Sequence, residues 1–182
     1  MRRSIGLEQA ESPEIEITRM RRRHLRGIMT IERQVYPRPW SPSLFVSEMT
    51  AGRTRAYLVA LQERSVVGYA GLISYGEEAH VTTIAVDPQY QRLKIGTRLM
   101  YELISEARRM GSQAVSLEVR VTNWGAQRMY ARFGFRPVGV RKGYYQETGE
   151  DAVIMWTEDI RTRQYDRQLE RLLAGIPQGV RP

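Results

Sequence analysis

The densest chemistry in the sequence lies in Val86-Asp87-Pro88-Gln89-Tyr90-Gln91-Arg92-Leu93-Lys94-Ile95-Gly96-Thr97-Arg98-Leu99-Met100. A strand signal ends at Asp87-Pro88, a short loop offers Gln, Arg, Lys and Gly, and an apolar stripe at helical spacing begins. Free backbone N–H groups and the positive end of a helix converge at such a junction, a geometry suited to pyrophosphate. The stretch is neither the P-loop nor the dinucleotide GxGxxG pattern, and its spacing alone also serves a plain strand-to-helix connection. Further on, Val115, Leu117, Val119 and Val121 share one strand face, which puts Glu118 opposite them with Ser116 and Arg120. On spacing alone that glutamate belongs to an ordinary polar face. Tyr130 shares a helical stripe with Ala126, Met129 and Phe133, where packing is the plain reading. Asn123 stands where it caps a helix beginning at Trp124.

The elements that must hold these residues follow from periodicity and punctuation. Ile15-Glu16-Ile17 reads as a first strand, and Leu25 to Ile31 as a helix broken at Tyr36-Pro37-Arg38-Pro39-Trp40. Ser41 caps a short helix with Pro42 at its first position, running through Phe45 to Met49. Strands are expected over 57–61, 66–73 and 80–86, a helix from Ile95 to Met110 closed by Gly111, and a strand from Ala114 to Val121. A helix from Trp124 to Phe133 and strands over 137–144 and 152–156 complete the order β-α-α-β-β-β-α-β-α-β-β. A strand–helix–strand crossover among hairpins implies an α/β (α+β) domain with a mixed, mostly antiparallel sheet flanked by helices. Tyr165, Leu169, Leu172 and Leu173 have helical spacing in an Arg-rich tail, which packs either on the domain or on a partner. The expected division is a leader over 1–13, one domain over 14–158 and a helical tail over 159–182.

Composition narrows the chemistry. With 182 residues, 42% hydrophobic and 26% charged, the chain has the make-up of one globular domain. No cysteine is present, which excludes thiol nucleophiles and thiolate metal sites, and His24 and His80 are the only histidines, so no metal centre is expected. No apolar run is long enough to span a bilayer, and the N-terminus lacks an apolar signal core, so a cytoplasmic protein is expected. Lys+Arg is 28 against 20 Asp+Glu, a net charge of +8, and Lys94 and Lys142 are the only lysines. That balance favours acidic partners such as phosphate-bearing cofactors or nucleic acid, although most of the arginines are dispersed.

Gln91-Arg92-Leu93-Lys94-Ile95-Gly96 resembles the Q/R-x-x-G-x-G/A loop of the GNAT N-acetyltransferases. Ile84-Ala85-Val86-Asp87-Pro88 looks like that family's central strand, and Leu117-Glu118-Val119-Arg120, Asn123 and Tyr130-Ala131-Arg132-Phe133-Gly134-Phe135 like its second cofactor motif. Together with Pro39-Trp40-Ser41 and Tyr144-Tyr145 they resemble the ribosomal-protein-alanine N-acetyltransferases (RimI type), over about residues 15–157. The first glycine of the loop motif is Lys94 here: its Cβ would shift the loop and weaken cofactor binding, or its ammonium would add to the contact with the pyrophosphate. Retained binding is expected, because Gly96 and the helix start remain.

The resemblance implies acetyl-CoA as donor, with Ile84, Ala85, Val86, Gln91, Arg92, Leu93, Lys94, Ile95, Gly96, Thr97 and Asn123 at the cofactor site. Ile84 and Val86 would contribute backbone groups. It implies Glu118 as general base, working through water, and Tyr130 as the acid that protonates the departing thiolate. Tyr36, Trp40, Tyr144 and Tyr145 flank loops that border the peptide groove in this family. The implied acceptor is a protein N-terminus, with the N-terminal Ala of a ribosomal protein foremost. A free α-amine, with a pKa near 7.7–8.0, also needs less proton removal than a lysine side chain. The alternatives are a lysine or small-amine acceptor on the same fold and a non-catalytic acetyl-CoA or RNA-binding module. No interleaved aromatic and basic repeat supports RNA binding.

Overall fold

Alternating side chains give the sheet two apolar faces, and the helices are divided between them. The computed structural model of the chain describes residues 14–176, so the leader expected over 1–13 and the tail beyond 176 lie outside the described residues. The strands are β1 (Ile15–Arg19), β2 (Arg55–Gln62), β3 (Ser65–Ser74), β4 (Glu78–Val86), β5 (Ala114–Arg120), β6 (Arg136–Tyr145) and β7 (Glu150–Trp156). The helices are α1 (Leu25–Val35), α2 (Pro42–Thr50), α3 (Ile95–Arg109), α4 (Trp124–Arg132) and α5 (Arg163–Ala174). The sheet runs β1-β2-β3-β4-β5-β7-β6, antiparallel except where β4 and β5 pair in parallel through the α3 crossover. This is the mixed sheet expected from the sequence, in the expected element order.

Along β2, Ala56, Leu58 and Ala60 join a core with Leu99, Leu103 and Ile104 of α3, while Tyr57, Val59 and Leu61 pack with Ile28 and Ile31 of α1 and Phe45 of α2. Ser41 caps α2 by accepting the Leu44 amide at 3.2 Å. The tail helix α5 packs on the domain: Tyr165, Leu169 and Leu172 enter the α3-side core, and the Tyr165 hydroxyl donates to the Phe133 carbonyl at 2.7 Å. Among the described residues no helix is long and apolar enough to cross a membrane.

Candidate active site

The sheet opens between its two parallel strands. Ladder pairing of β4 with β5 covers only Glu78–His80 against Ala114–Ser116. Beyond that point Val81–Ile84 and Leu117–Arg120 separate and line a cavity of about 570 Å³. A bulge contributes: Gly71 pairs with Thr83 and Leu72 with Val81, which leaves Thr82 as an extra residue on β4. Bulges bend a strand and end its pairing, so here one breaks the regular course of β4 at the opening.

Glu118 projects into this cavity from β5, with its side chain 9% exposed. Its Oε2 lies 3.0 Å from His80 Nε2 and its Oε1 lies 3.3 Å from Arg141 Nη1. His80 Nδ1 lies 2.9 Å from the Ser116 hydroxyl, so a polar chain runs from Ser116 through His80 to Glu118. The hydrogen bond with His80, followed by the charges of His80 and Arg141, holds the Glu118 carboxyl below the usual carboxylate range against the opposing effect of burial. Tyr130 reaches the cavity from α4, on the α3 side of the sheet, with the ring tilted against Phe135 at 5.8 Å. Burial pushes its phenol well above the ordinary value, so the hydroxyl keeps its proton at neutral pH. Asn123 caps α4, its Oδ1 accepting the Ala126 amide at 3.1 Å, and its side of the cavity adjoins Tyr130 through that helix.

The aromatic residues expected at the acceptor side all line the same cavity: Tyr36 and Trp40 from the α1–α2 connection, Tyr144 and Tyr145 from the end of β6. The Tyr36 hydroxyl donates to the Ile84 carbonyl at 3.1 Å. Tyr144 and Tyr145 meet edge to face at 5.1 Å, and the Arg120 guanidinium lies 3.8 Å above the Tyr145 ring. Burial pushes the Tyr145 phenol up to about 12. Arg120 itself is held by Glu147 at 2.7 Å and Glu150 at 3.0 Å, which fixes the β6–β7 turn.

The 91–97 segment lies outside this cavity and forms the start of α3. Among the described residues no backbone hydrogen bond occupies the amides of residues 91–97. A row of unsatisfied N–H groups at a helix N-terminus suits an anion, and Gln91, Arg92 and Lys94 are exposed beside it. Lys94 takes the glycine position without breaking the turn: it is the N-cap of α3, left-handed at φ 62°, and Arg92 is left-handed at φ 69°. The backbone therefore keeps the conformation that a glycine would adopt without strain. At Gly96 a Cβ would lie 3.5 Å from Met129 Sδ and 3.7 Å from Val86 Cγ2, ordinary contacts, so internal packing does not demand a glycine there. The residues present fit the pyrophosphate of a CoA donor through backbone N–H groups. Side chains of Ile95 and Thr97 point elsewhere, both buried, and Ala85 packs in the core beneath α1 and α2.

Two groups at the site carry no sequence motif. His80 pairs with Glu118 only because the short parallel ladder sets it against Ser116. Glu32, 1% exposed, lines the cavity from α1. Its signal was present, since an acidic residue four positions after Ile28 sits in an otherwise apolar stripe.

The sheet is thus split between its parallel strands beside a helix that opens on free amides. The chain belongs to the Acetyltransferase (GNAT) family, whose sequence profile matches residues 25–135. A relative in Bacillus subtilis (strain 168), a putative ribosomal protein bS18-alanine N-acetyltransferase, is 34% identical over 140 residues, 77% of this chain and 93% of that protein. The ribosomal protein bS18-alanine N-acetyltransferase of Escherichia coli (strain K12) is 35% identical over 127 residues, 69% of this chain and 84% of its own length. The crystal structure of an Escherichia coli ribosomal-protein-S18-alanine N-acetyltransferase superposes with a TM-score of 0.71 at 31% identity, covering 80% of this chain and 94% of that one. The chain is an N-acetyltransferase of the GNAT fold with RimI-type relatives.

Proposed function

We propose that this enzyme moves an acetyl group from acetyl-CoA to the α-amine of a protein N-terminus, and that a ribosomal protein beginning with Ala is its first candidate acceptor. The observation that carries this reading is the placement of Glu118 and Tyr130: they enter one cavity from opposite faces of the sheet, at the opening between β4 and β5. The relatives' names supply the acceptor class. Bound acetyl-CoA supplies an acyl carbon already activated toward an amine.

The remaining work falls to the chain. The amides of residues 91–97 hold the pyrophosphate, and Arg92 and Lys94 add charge to that contact. The unpaired edge of β4 steers the donor into the opening, with Tyr36 closing the Ile84 carbonyl on the acceptor side. Glu118, ionised at neutral pH, takes the proton of the incoming ammonium through a water. His80 donates from Nε2 to the carboxylate and holds it oriented, with Nδ1 against the Ser116 hydroxyl behind it. The C–N bond forms as the amine attacks the acyl carbon, and the C–S bond then breaks. Tyr130, whose burial keeps its phenol protonated, delivers a proton from Oη to the departing sulfur and is reprotonated by the proton that the new amide nitrogen sheds. Trp40, Tyr144 and Tyr145 border the space for the first residues of the acceptor.

The test is free-thiol release from acetyl-CoA with a short peptide panel that varies the first residue and includes N-terminally blocked copies. Turnover should favour Ala or Ser first and vanish on blocking. Turnover that survives blocking would assign a different amine.

A further inference from the structure

Glu32 takes no part in the chemistry proposed above, yet it is 1% exposed and surrounded by the apolar packing of Ile28, Ile31 and Phe45. A buried carboxyl group is costly unless its oxygens are hydrogen-bonded, and both of these are. Oε1 accepts the Tyr69 hydroxyl, and Oε2 accepts the Trp40 amide at 2.8 Å. The Glu32 backbone carbonyl accepts the Tyr36 amide at 2.9 Å. The connection Tyr36-Pro37-Arg38-Pro39-Trp40 is thus tied at both ends to a single residue.

Little else in the connection can tie it down. Pro37 and Pro39 have no N–H, so Arg38 holds its only other backbone donor. The aromatic rings close the circuit: Trp40 lies 5.3 Å from Phe45, and Phe45 meets Tyr69 edge to face at 5.6 Å, which returns to the hydroxyl held by Glu32. From the other end, Tyr36 reaches the open edge of β4 through Ile84. Glu32, Tyr36 and Trp40 line the cavity that also receives Glu118.

We infer that Glu32 is the positioning residue of the acceptor wall: its carboxyl group holds the Trp40 amide and so sets the shape of the space into which the acceptor's first residues fit. Acceptor affinity depends on it, and donor binding does not, because the donor contacts lie on β4 and at the start of α3. The inference rests on the proposed function only for the statement that a peptide amine occupies this cavity.

The experiment combines amide exchange followed by mass spectrometry with steady-state kinetics on the full chain, unaltered and as Glu32→Ala and Glu32→Gln. In the unaltered chain the Trp40 amide should be protected relative to that of Arg38. Glu32→Ala should release that protection and raise the peptide KM about tenfold, the scale set by one hydrogen bond to a charged group. kcat and acetyl-CoA affinity should change by less than about threefold, within the reach of indirect effects. Glu32→Gln keeps an oxygen for the Trp40 amide and should restore both protection and KM. A Trp40 amide that exchanges as fast as that of Arg38 in the unaltered chain would overturn the inference without any variant. An unchanged peptide KM in Glu32→Ala, or a parallel loss of donor affinity, kcat and thermal stability, would overturn it equally. The exchange measurement needs no acceptor. A chain that turns over no peptide therefore counts against the proposed function, and an unprotected Trp40 amide counts against the role of Glu32.

Discussion

The loop proposed for the donor and the cavity proposed for the acceptor are built from different materials. The loop is backbone: one continuous segment over 91–97, left-handed at Arg92 and Lys94, presents a row of amides whose side chains are mostly exposed. The acceptor side is made of side chains from α1, the α1–α2 connection, β4, β5 and β6, each fixed by a partner distant in sequence. A backbone cradle tolerates a change of side chain as long as the chain can still turn, which is why a lysine stands in a glycine position without loss of the loop. A side-chain wall tolerates little, because each group depends on the ones behind it.

Substitutions should separate the two sides. The largest effect is expected for Glu118→Gln, which removes the proton acceptor and should lower kcat by about 10³-fold while acetyl-CoA affinity, read by titration calorimetry, stays put. Full turnover by that variant would break the assignment of the base. Tyr130→Phe keeps the buried ring and deletes the proton, and should lower kcat by roughly 10²-fold with little change in melting temperature. A full rate would remove the acid from the account.

The pH profile sharpens the same division. Because contact with His80 and then burial and Arg141 leave Glu118 with a net lowering, the carboxylate is already ionised well below neutrality. The acid limb of kcat/KM should therefore follow the acceptor's α-amine, near 7.7–8.0, and stay in place in the residual activity of Glu118→Gln. The stability linked to Glu118 has the sign of a depressed carboxyl: present above the unfolded value of about 4.3 and lost as pH falls through the lower folded value. Acid melts of the unaltered chain should thus steepen below that range, and those of Glu118→Gln less so. The smallest effect is expected at Lys94→Gly. Removing a left-handed non-glycine residue should stabilise the fold by up to about 1 kcal/mol. Loss of one exposed ammonium should weaken donor binding by less than about fivefold.

The same contrast explains what the sequence could disclose. The donor loop is local, so its residues, the helix stripe behind it and the Asn123 cap are all legible as short patterns. The element order is legible for the same reason, since the apolar runs of β2 and β3, the alternation of β4 and β5 and the breaks at Pro37, Pro39 and Pro88 are neighbouring-residue facts. The conformation of Lys94 is not legible, because steric preference argues against the left-handed state that the loop imposes. His80 meets Glu118 through a register between strands 36 residues apart in the Ser116 contact, which no local pattern records. The spacing of Tyr165, Leu169 and Leu172 announces a helix but not the face it covers; the Phe133 carbonyl that receives Tyr165 decides that.

The central claim is that the amine accepted here is an N-terminal α-amine. Its most direct test is tandem mass spectrometry of a peptide that begins with Ala and carries an internal lysine, after incubation with enzyme and acetyl-CoA. The account predicts an acetyl group on the α-nitrogen and an unmodified lysine. An acetyl group on the lysine side chain, with the α-amine left free, would contradict it.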